Sequence, residues 1–208
     1  MGPPLPHNVN LIMMKRGRKA AERAMESAAS YVEDRLFLRV NRDKFFVAHV
    51  TRQVKYLGYS FYAGSGGEVR LCVHRKSVES LKDGVREILS RSNGWSLDRR
   101  WYRLRCLVNG WVGYFRLADM RTALRDLDTW VRRKIRCAYW KCWKLSRARF
   151  RAHVRLGVIR GQVWQWANSR KGFWRVVGSG ILDRALNNAK LEELGWTTFY
   201  PRYLLLSC

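Results

Sequence analysis

Arginine, lysine and tryptophan are the residue types in this chain with chemistry to offer, and they are concentrated. Residues 131–155 hold Arg132, Arg133, Lys134, Arg136, Lys141, Lys144, Arg147, Arg149, Arg151 and Arg155, with no Asp or Glu among them. A solvated helix face normally alternates charge sign and gains i,i+4 pairs. This run forgoes them and accepts its self-repulsion, as a surface does when it neutralises phosphates and releases their counterions. Arginine dominates lysine in it, which suits bidentate phosphate contacts and stacking on planar rings. Trp140 and Trp143 lie inside the run and add faces on which bases could stack. No comparable set of metal ligands stands out. His49, His74 and His153 are isolated and are expected to be incidental. The five cysteines are odd in number and widely spaced, and Cys137 and Cys142 lack the second Cys or His pair of a zinc site. Reduced thiols, mostly in the core, are expected.

Composition sets the same direction. The 208 residues carry 41 Lys and Arg against 16 acids, a formal charge of +25. A compact chain with that imbalance repels itself unless something anionic sits against it. Nucleic acid is the leading partner, and an acidic membrane surface the weaker one. With 47% apolar residues the chain is no disordered basic tail. Ten Trp and nine Tyr favour RNA or single strands, whose bases stack on aromatic faces. No apolar run approaches the roughly 20 residues of a membrane span. The first residues lack the basic and apolar regions of a signal peptide, so a cytoplasmic protein is expected.

The elements that must position these side chains centre on residues 109–143. An aromatic-glycine knot, Gly110-Trp111-Val112-Gly113-Tyr114-Phe115, opens the stretch, and a long helix follows from near Met120. Leu124, Leu127, Val131, Ile135, Ala138, Cys142 and Leu145 recur at three- and four-residue steps and predict its buried stripe. At roughly 100° per residue, Arg125, Arg132, Arg136 and Trp143 share another face, with Trp140 beside them. That face is expected to meet the polyanion. Before the stretch, residues 77–92 predict a helix with Val78, Leu81, Val85, Ile88 and Leu89 on one face, stopped by Asn93-Gly94. Ser96 is a candidate N-cap for a helix carrying Trp101, Leu104, Val108, Trp111 and Phe115. After the stretch, Leu145-Ser146 breaks the pattern and residues 147–155 predict a short basic helix ended by Gly157.

The first 75 residues read differently. Residues 19–36 predict an amphipathic helix with Ala20, Ala24, Ala28, Tyr31 and Val32 near one face. Residues 11–14, 37–40, 45–50, 55–62 and 69–73 are strand-like, with a turn forced at 63–67. The fold class is therefore α+β: a short partial sheet with one helix over residues 1–75, then an all-α domain over 76–208. So few strands would leave exposed sheet edges.

Three segments carry a resemblance. Residues 110–119 (GWVGYFRLAD), 166–175 (WANSRKGFWR) and 181–188 (ILDRALNN) resemble hallmarks of the maturase-specific, or thumb, domain of group II intron reverse transcriptase-maturases. Asn41-Arg42-Asp43-Lys44 resembles that family's Asn-x-x-Lys motif, although Phe45 stands where a small hydroxyl residue is usual. Leu57-Gly58 resembles the Leu-Gly strand of its primer-grip region, so the first 75 residues look like the end of a polymerase palm. The resemblance implies a module that binds group II intron RNA and assists its splicing, the chemistry belonging to the RNA. It adds Arg116, Asn168, Arg170 and Lys171 to the candidate contacts. Helix-spaced aromatics are usually core, so Trp111, Tyr114 and Trp174 are expected to lock helices together, with Gly110 and Gly113 allowing close packing.

One departure from the family matters. Polymerase chemistry needs paired Asp residues holding two Mg²⁺ ions. Where the resemblance would place them, near residues 5–10, the chain reads Leu-Pro-His-Asn-Val-Asn. His and Asn cannot replace two carboxylates as hard oxygen ligands. The chain is therefore not expected to polymerise DNA alone, and Mg²⁺ is expected only through bound RNA or another polymerase half. The alternative is the C-terminal part of a split or truncated RNA-directed DNA polymerase, completed by a separate chain that carries the fingers and the Asp pair.

Overall fold

The computed structural model describes residues 11–52, 54–64, 66–90, 92–169, 172–177 and 180–207. It divides into two compact units, Met1–Val69 and Arg70–Cys208.

In the first unit, alanine and long straight side chains favour helix α1, Arg18–Asp34. The predicted apolar face is only partly covered: Ala20, Ala24, Ala28 and Val32 are half-buried and Tyr31 is exposed, while the helix's buried residue is the neighbouring Ala29. The segments 11–14, 37–40 and 45–50 form no strands. Apolar side chains alone do not hold a strand; its N–H and C=O groups need a neighbouring ladder, and none reaches them. Asn41 instead caps a single 3₁₀ turn, Arg42–Lys44, its side chain accepting the Asp43 N–H at 3.1 Å. Strand β1, Tyr59–Ala63, pairs antiparallel with β2, Val69–Val73. Before β1 the chain doubles back through Leu57 and Gly58, where Tyr56 and Tyr59 exchange backbone hydrogen bonds of 2.8 and 3.0 Å. Both central residues are left-handed, Leu57 at φ 50° and Gly58 at φ 82°. Glycine suits that conformation; a leucine there carries about 1–2 kcal/mol of strain.

The second unit is built from helices whose ends the sequence marks. Helix α2 spans Arg75–Ile88 and buries Leu81, Val85 and Ile88; Gly94 at φ 69° follows it. Ser96 caps α3, Leu97–Tyr114, by accepting the Arg99 N–H at 3.2 Å. Helix α3 buries Leu104, Val108 and Val112. Helix α4, Arg121–Cys142, buries Leu124, Leu127, Val131, Ile135 and Ala138 as expected. Cys142 and Leu145 depart from that stripe and are exposed. The helix ends at Cys142, Trp143 leaves the helical region at φ −88°, ψ 68°, and the 3.6-residue period no longer applies. Helix α5, Ser146–Arg155, and α6, Arg160–Ala167, meet through Gly157 at φ 81° and pack on each other. Four short helices complete the unit: α7, Phe173–Val177; α8, Gly180–Ala185; α9, Asn188–Glu193; and α10, Phe199–Leu206.

The last of these closes the core. Helix α10 packs against both α3 and α4, and α7 against α4. The buried Asp128 carboxylate on α4 accepts the N–H groups of Phe199 at 2.8 Å and Tyr200 at 2.9 Å. It thus satisfies the open N-terminus of α10 from 71 residues away. Tyr203 donates to the Ala118 carbonyl at 2.9 Å, and Trp196 donates to the Tyr139 hydroxyl at 3.0 Å. Trp101 donates to the Gly195 carbonyl at 2.6 Å, and a Cβ at Gly195 would stand 3.1 Å from that indole nitrogen.

The knot is partly as expected. Trp111 lies 4.7 Å from Phe115 and meets the edge of Phe199 at 6.0 Å, joining α3 to α10. Tyr114 packs edge-on against Phe115 at 4.8 Å but is itself exposed. Gly110 and Gly113 do not serve close packing: a Cβ at either would meet nothing within 4 Å. The Trp174 side chain lies outside the described residues.

Candidate nucleic-acid interface

The basic run does not form one continuous surface. Arg136 is only 9% exposed. Its Nε donates to the Leu186 carbonyl at 2.9 Å, and its Nη1 meets the Asp183 carboxylate at 2.7 Å. Burial lowers its pKa and Asp183 opposes that shift. Arg136 therefore holds α4 to α8, and the expectation that it faces a polyanion is corrected. A charge count over 25 neighbouring residues cannot foresee an acid that arrives from another helix.

Trp140 is also turned inward and buried. The Arg149 guanidinium covers its ring at 4.3 Å from the centroid, and Arg149 Nε donates to the Trp143 carbonyl at 3.0 Å. Arg149 thus satisfies an open carbonyl at the end of α4 and seals the indole. Trp140 as a stacking surface for bases, and Arg149 as a free phosphate contact, are both corrected. Trp143 is half-buried, with ring centroids 6.4 Å from Trp140 and 5.9 Å from Tyr139.

The centre of this cluster is a residue expected to be incidental. His153 on α5 is fully buried among Trp140 at 6.1 Å, Trp143 at 5.2 Å and Trp166 at 6.1 Å. Its Nδ1 stands 2.7 Å from the Arg149 carbonyl, which places a proton on Nδ1 as donor, while Nε2 is buried with no partner among the described residues. Burial pushes its pKa down, with the Arg149 guanidinium adding to that direction and the carbonyl opposing it. The linkage sign follows. A lowered folded-state pKa gives stability that is fully present above the unfolded value, near 6.5, and is lost as pH falls through the folded value. Thermal melts from pH 8 to pH 5 are therefore expected to show falling stability below about pH 6.5. His153→Phe should reduce that slope; an unchanged slope would place the titrating group elsewhere.

Among the remaining candidates, Arg116, Arg133, Lys144, Arg147, Arg151 and Asn168 are exposed, and Arg132, Lys134 and Lys141 are half-buried. Arg125 is engaged with α10: it donates to the Tyr200 hydroxyl at 2.7 Å and lies 4.7 Å over that ring. Lys134 and Arg86 stand 5.7 and 5.6 Å from the Trp130 ring. Arg170 and Lys171 lie outside the described residues. Asn41, Lys44 and Leu57 are exposed and Gly58 is half-buried, so no side chain there is withdrawn from solvent.

Two features went unread in the sequence. Arg100 is buried and donates to the Trp95 carbonyl at 3.1 Å, the Ser90 carbonyl at 2.6 Å and Asn93 Oδ1 at 2.7 Å. It fixes the turn between α2 and α3. Beside it, Arg99 lies 4.5 Å over Trp95, a pair outside the predicted run.

What remains solvent-facing is best ordered on α5. Arg147, Arg151 and Arg155 recur at i, i+4 and i+8, all exposed, and take no ion pair among the described residues. Among the described residues no three His, Cys, Asp or Glu side chains group as metal ligands. No helix there is long and apolar enough to cross a membrane. By class, the second unit is, after the end of β2, a helical domain whose charged residues are mostly arginine.

Residues 78–157, from within α2 to just beyond α5, match the group II intron, maturase-specific domain. The match supports a group II intron maturase C-terminal region for this part of the chain. No curated protein matches the chain.

Proposed function

We propose that this chain is an RNA-binding module that holds group II intron RNA in its splicing-competent fold, leaving bond breaking to the ribozyme. The observation carrying this reading is the pairing of the family match with the three unpaired arginines of α5. Each would neutralise a phosphate, and none is spent on an ion pair among the described residues. Replacing Arg147, Arg151 and Arg155 with Gln should weaken binding to a group II intron RNA. The slope of log affinity against log salt should shrink by about 2 to 3, since each phosphate contact contributes roughly 0.7 to 0.9. An unchanged slope would remove α5 from the interface.

The first unit favours a second reading, in which another chain completes a polymerase. Phe37 is 88% exposed and Phe46 66%, while Ala29 and Phe61 are the buried apolar residues described there. Purified alone, the chain should then extend no primer on an RNA template with Mg²⁺; extension by the chain alone would contradict this reading.

A further inference from the structure

The tryptophans of the second unit are nearly all occupied. Trp95, Trp101 and Trp130 lie under arginine or lysine; Trp111, Trp140, Trp143, Trp166 and Trp196 pack against other rings. Trp164 on α6 is different. It is 68% exposed, and no ring or cation among the described residues stands against it. An indole left open to water forgoes a large burial gain, since aromatic side chains normally supply core area.

Its neighbours along the helix give the indole a context. Arg160, Trp164 and Asn168 recur at i, i+4 and i+8 and are all exposed. They form one stripe with about 6 Å between successive residues along the helix axis. Asn168 is held at the end of α6 by donating Nδ2 to the Trp164 carbonyl at 3.0 Å. Its Oδ1 makes no hydrogen bond among the described residues. Helix α6 packs on α5, whose exposed arginines were described above. From Thr129 to Leu182 the chain contains no Asp or Glu, so nothing in this region repels an anion. An apolar protein partner would gain from Trp164 but would have to bury those guanidiniums without counter-charge. A polyanion carrying planar rings satisfies both.

We propose that the Arg160–Trp164–Asn168 stripe of α6 captures an unpaired nucleotide of the RNA, and that the site takes single-stranded or looped-out segments in preference to duplex. Arg160 meets a phosphate, Trp164 stacks on the base, and Asn168 offers Oδ1 to a base N–H. Bases inside a duplex have their faces stacked on each other and cannot take Trp164; unpaired bases can. This rests on the reading of the chain as an RNA-binding module.

The test compares the full chain with Trp164→Ala and Trp164→Phe, using a poly-uridine strand and a blunt-ended, fully paired RNA duplex of equal charge. Trp164 carries no core, so both variants should melt as the parent does, which circular dichroism checks. Trp164→Ala is expected to weaken poly-uridine binding about 5- to 150-fold, the equivalent of one lost base stack. Its salt slope and its duplex affinity should stay unchanged, and Trp164→Phe should recover most of the loss. Equal single-strand affinity in parent and Trp164→Ala would overturn the proposal while leaving the RNA-binding reading intact. Equal losses on both probes would overturn the preference for unpaired RNA. Failure of the parent to bind either probe would instead sink the reading on which the proposal rests.

Discussion

Ending the chain at residue 157 is expected to abolish cooperative unfolding of the second unit, although the whole family-matched segment is retained. That segment supplies α3, α4 and α5, but not the surfaces that cover them. Phe199, Leu182 and Leu186 are fully buried and Leu191 nearly so, and all four come from residues beyond 157. Burying each such side chain contributes roughly 1.5–3 kcal/mol, so together they approach the 5–15 kcal/mol by which a domain is stable at all. Their removal also strands the charges they satisfy, above all Arg136, which loses both the Leu186 carbonyl and Asp183. The shortened chain should keep helical far-ultraviolet circular dichroism but lose the near-ultraviolet signal and the sigmoidal urea transition. A sharp transition, with a urea slope reduced only in proportion to the residues removed, would show that the core folds without the segment beyond 157.

Asp128→Ala should destabilise the full chain by about 2–6 kcal/mol, the second largest effect expected. The carboxylate is buried and accepts two backbone N–H groups at the start of α10. Alanine would leave both donors unsatisfied, at roughly 1–3 kcal/mol each. The two opposing influences on Asp128 identify a milder control. Burial raises its pKa, and the N–H groups of Tyr200 and Phe199 with the Thr198 side chain pull it back. Asn removes the charge that burial disfavours and keeps one accepting oxygen, so Asp128→Asn should lose less than half of what Asp128→Ala loses. Chemical denaturation measures both. A loss below about 0.5 kcal/mol for Asp128→Ala, the range of ordinary surface changes, would mean that α10 holds its place without the cap.

Arg136 and Asp128 take their partners from distant segments, whereas α3 and α4 follow local rules. Local rules placed α3 by the Ser96 cap and α4 by its apolar stripe, because period and capping are written within a few residues of where they act. The segments near 37–40 and 45–50 misled because strand propensity describes a side chain's fit to a sheet without providing the sheet. The candidate interface was legible as charge but not as orientation. Arg136 and Arg151 look alike in the run; what separates them is Asp183, which meets one and not the other. Asp128 carried no signal because its partners are backbone groups 71 and 72 residues away. His153 was equally silent, since its cage draws on α4, α5 and α6.

The distance between the two halves of the helical core also has a bearing on how the chain is made. Trp101 waits for Gly195, 94 residues later, and Ala118 for Tyr203, 85 residues later. At ribosomal speeds of about 5–20 residues per second, α3 and α4 spend on the order of 5–20 s emerged but uncovered. During that interval their leucine and valine faces are open beside a cationic surface, within reach of the messenger and ribosomal RNA around them. Synthesis therefore presents a kinetic hazard that the finished fold conceals: until α10 emerges, the faces it will cover are exposed to aggregation.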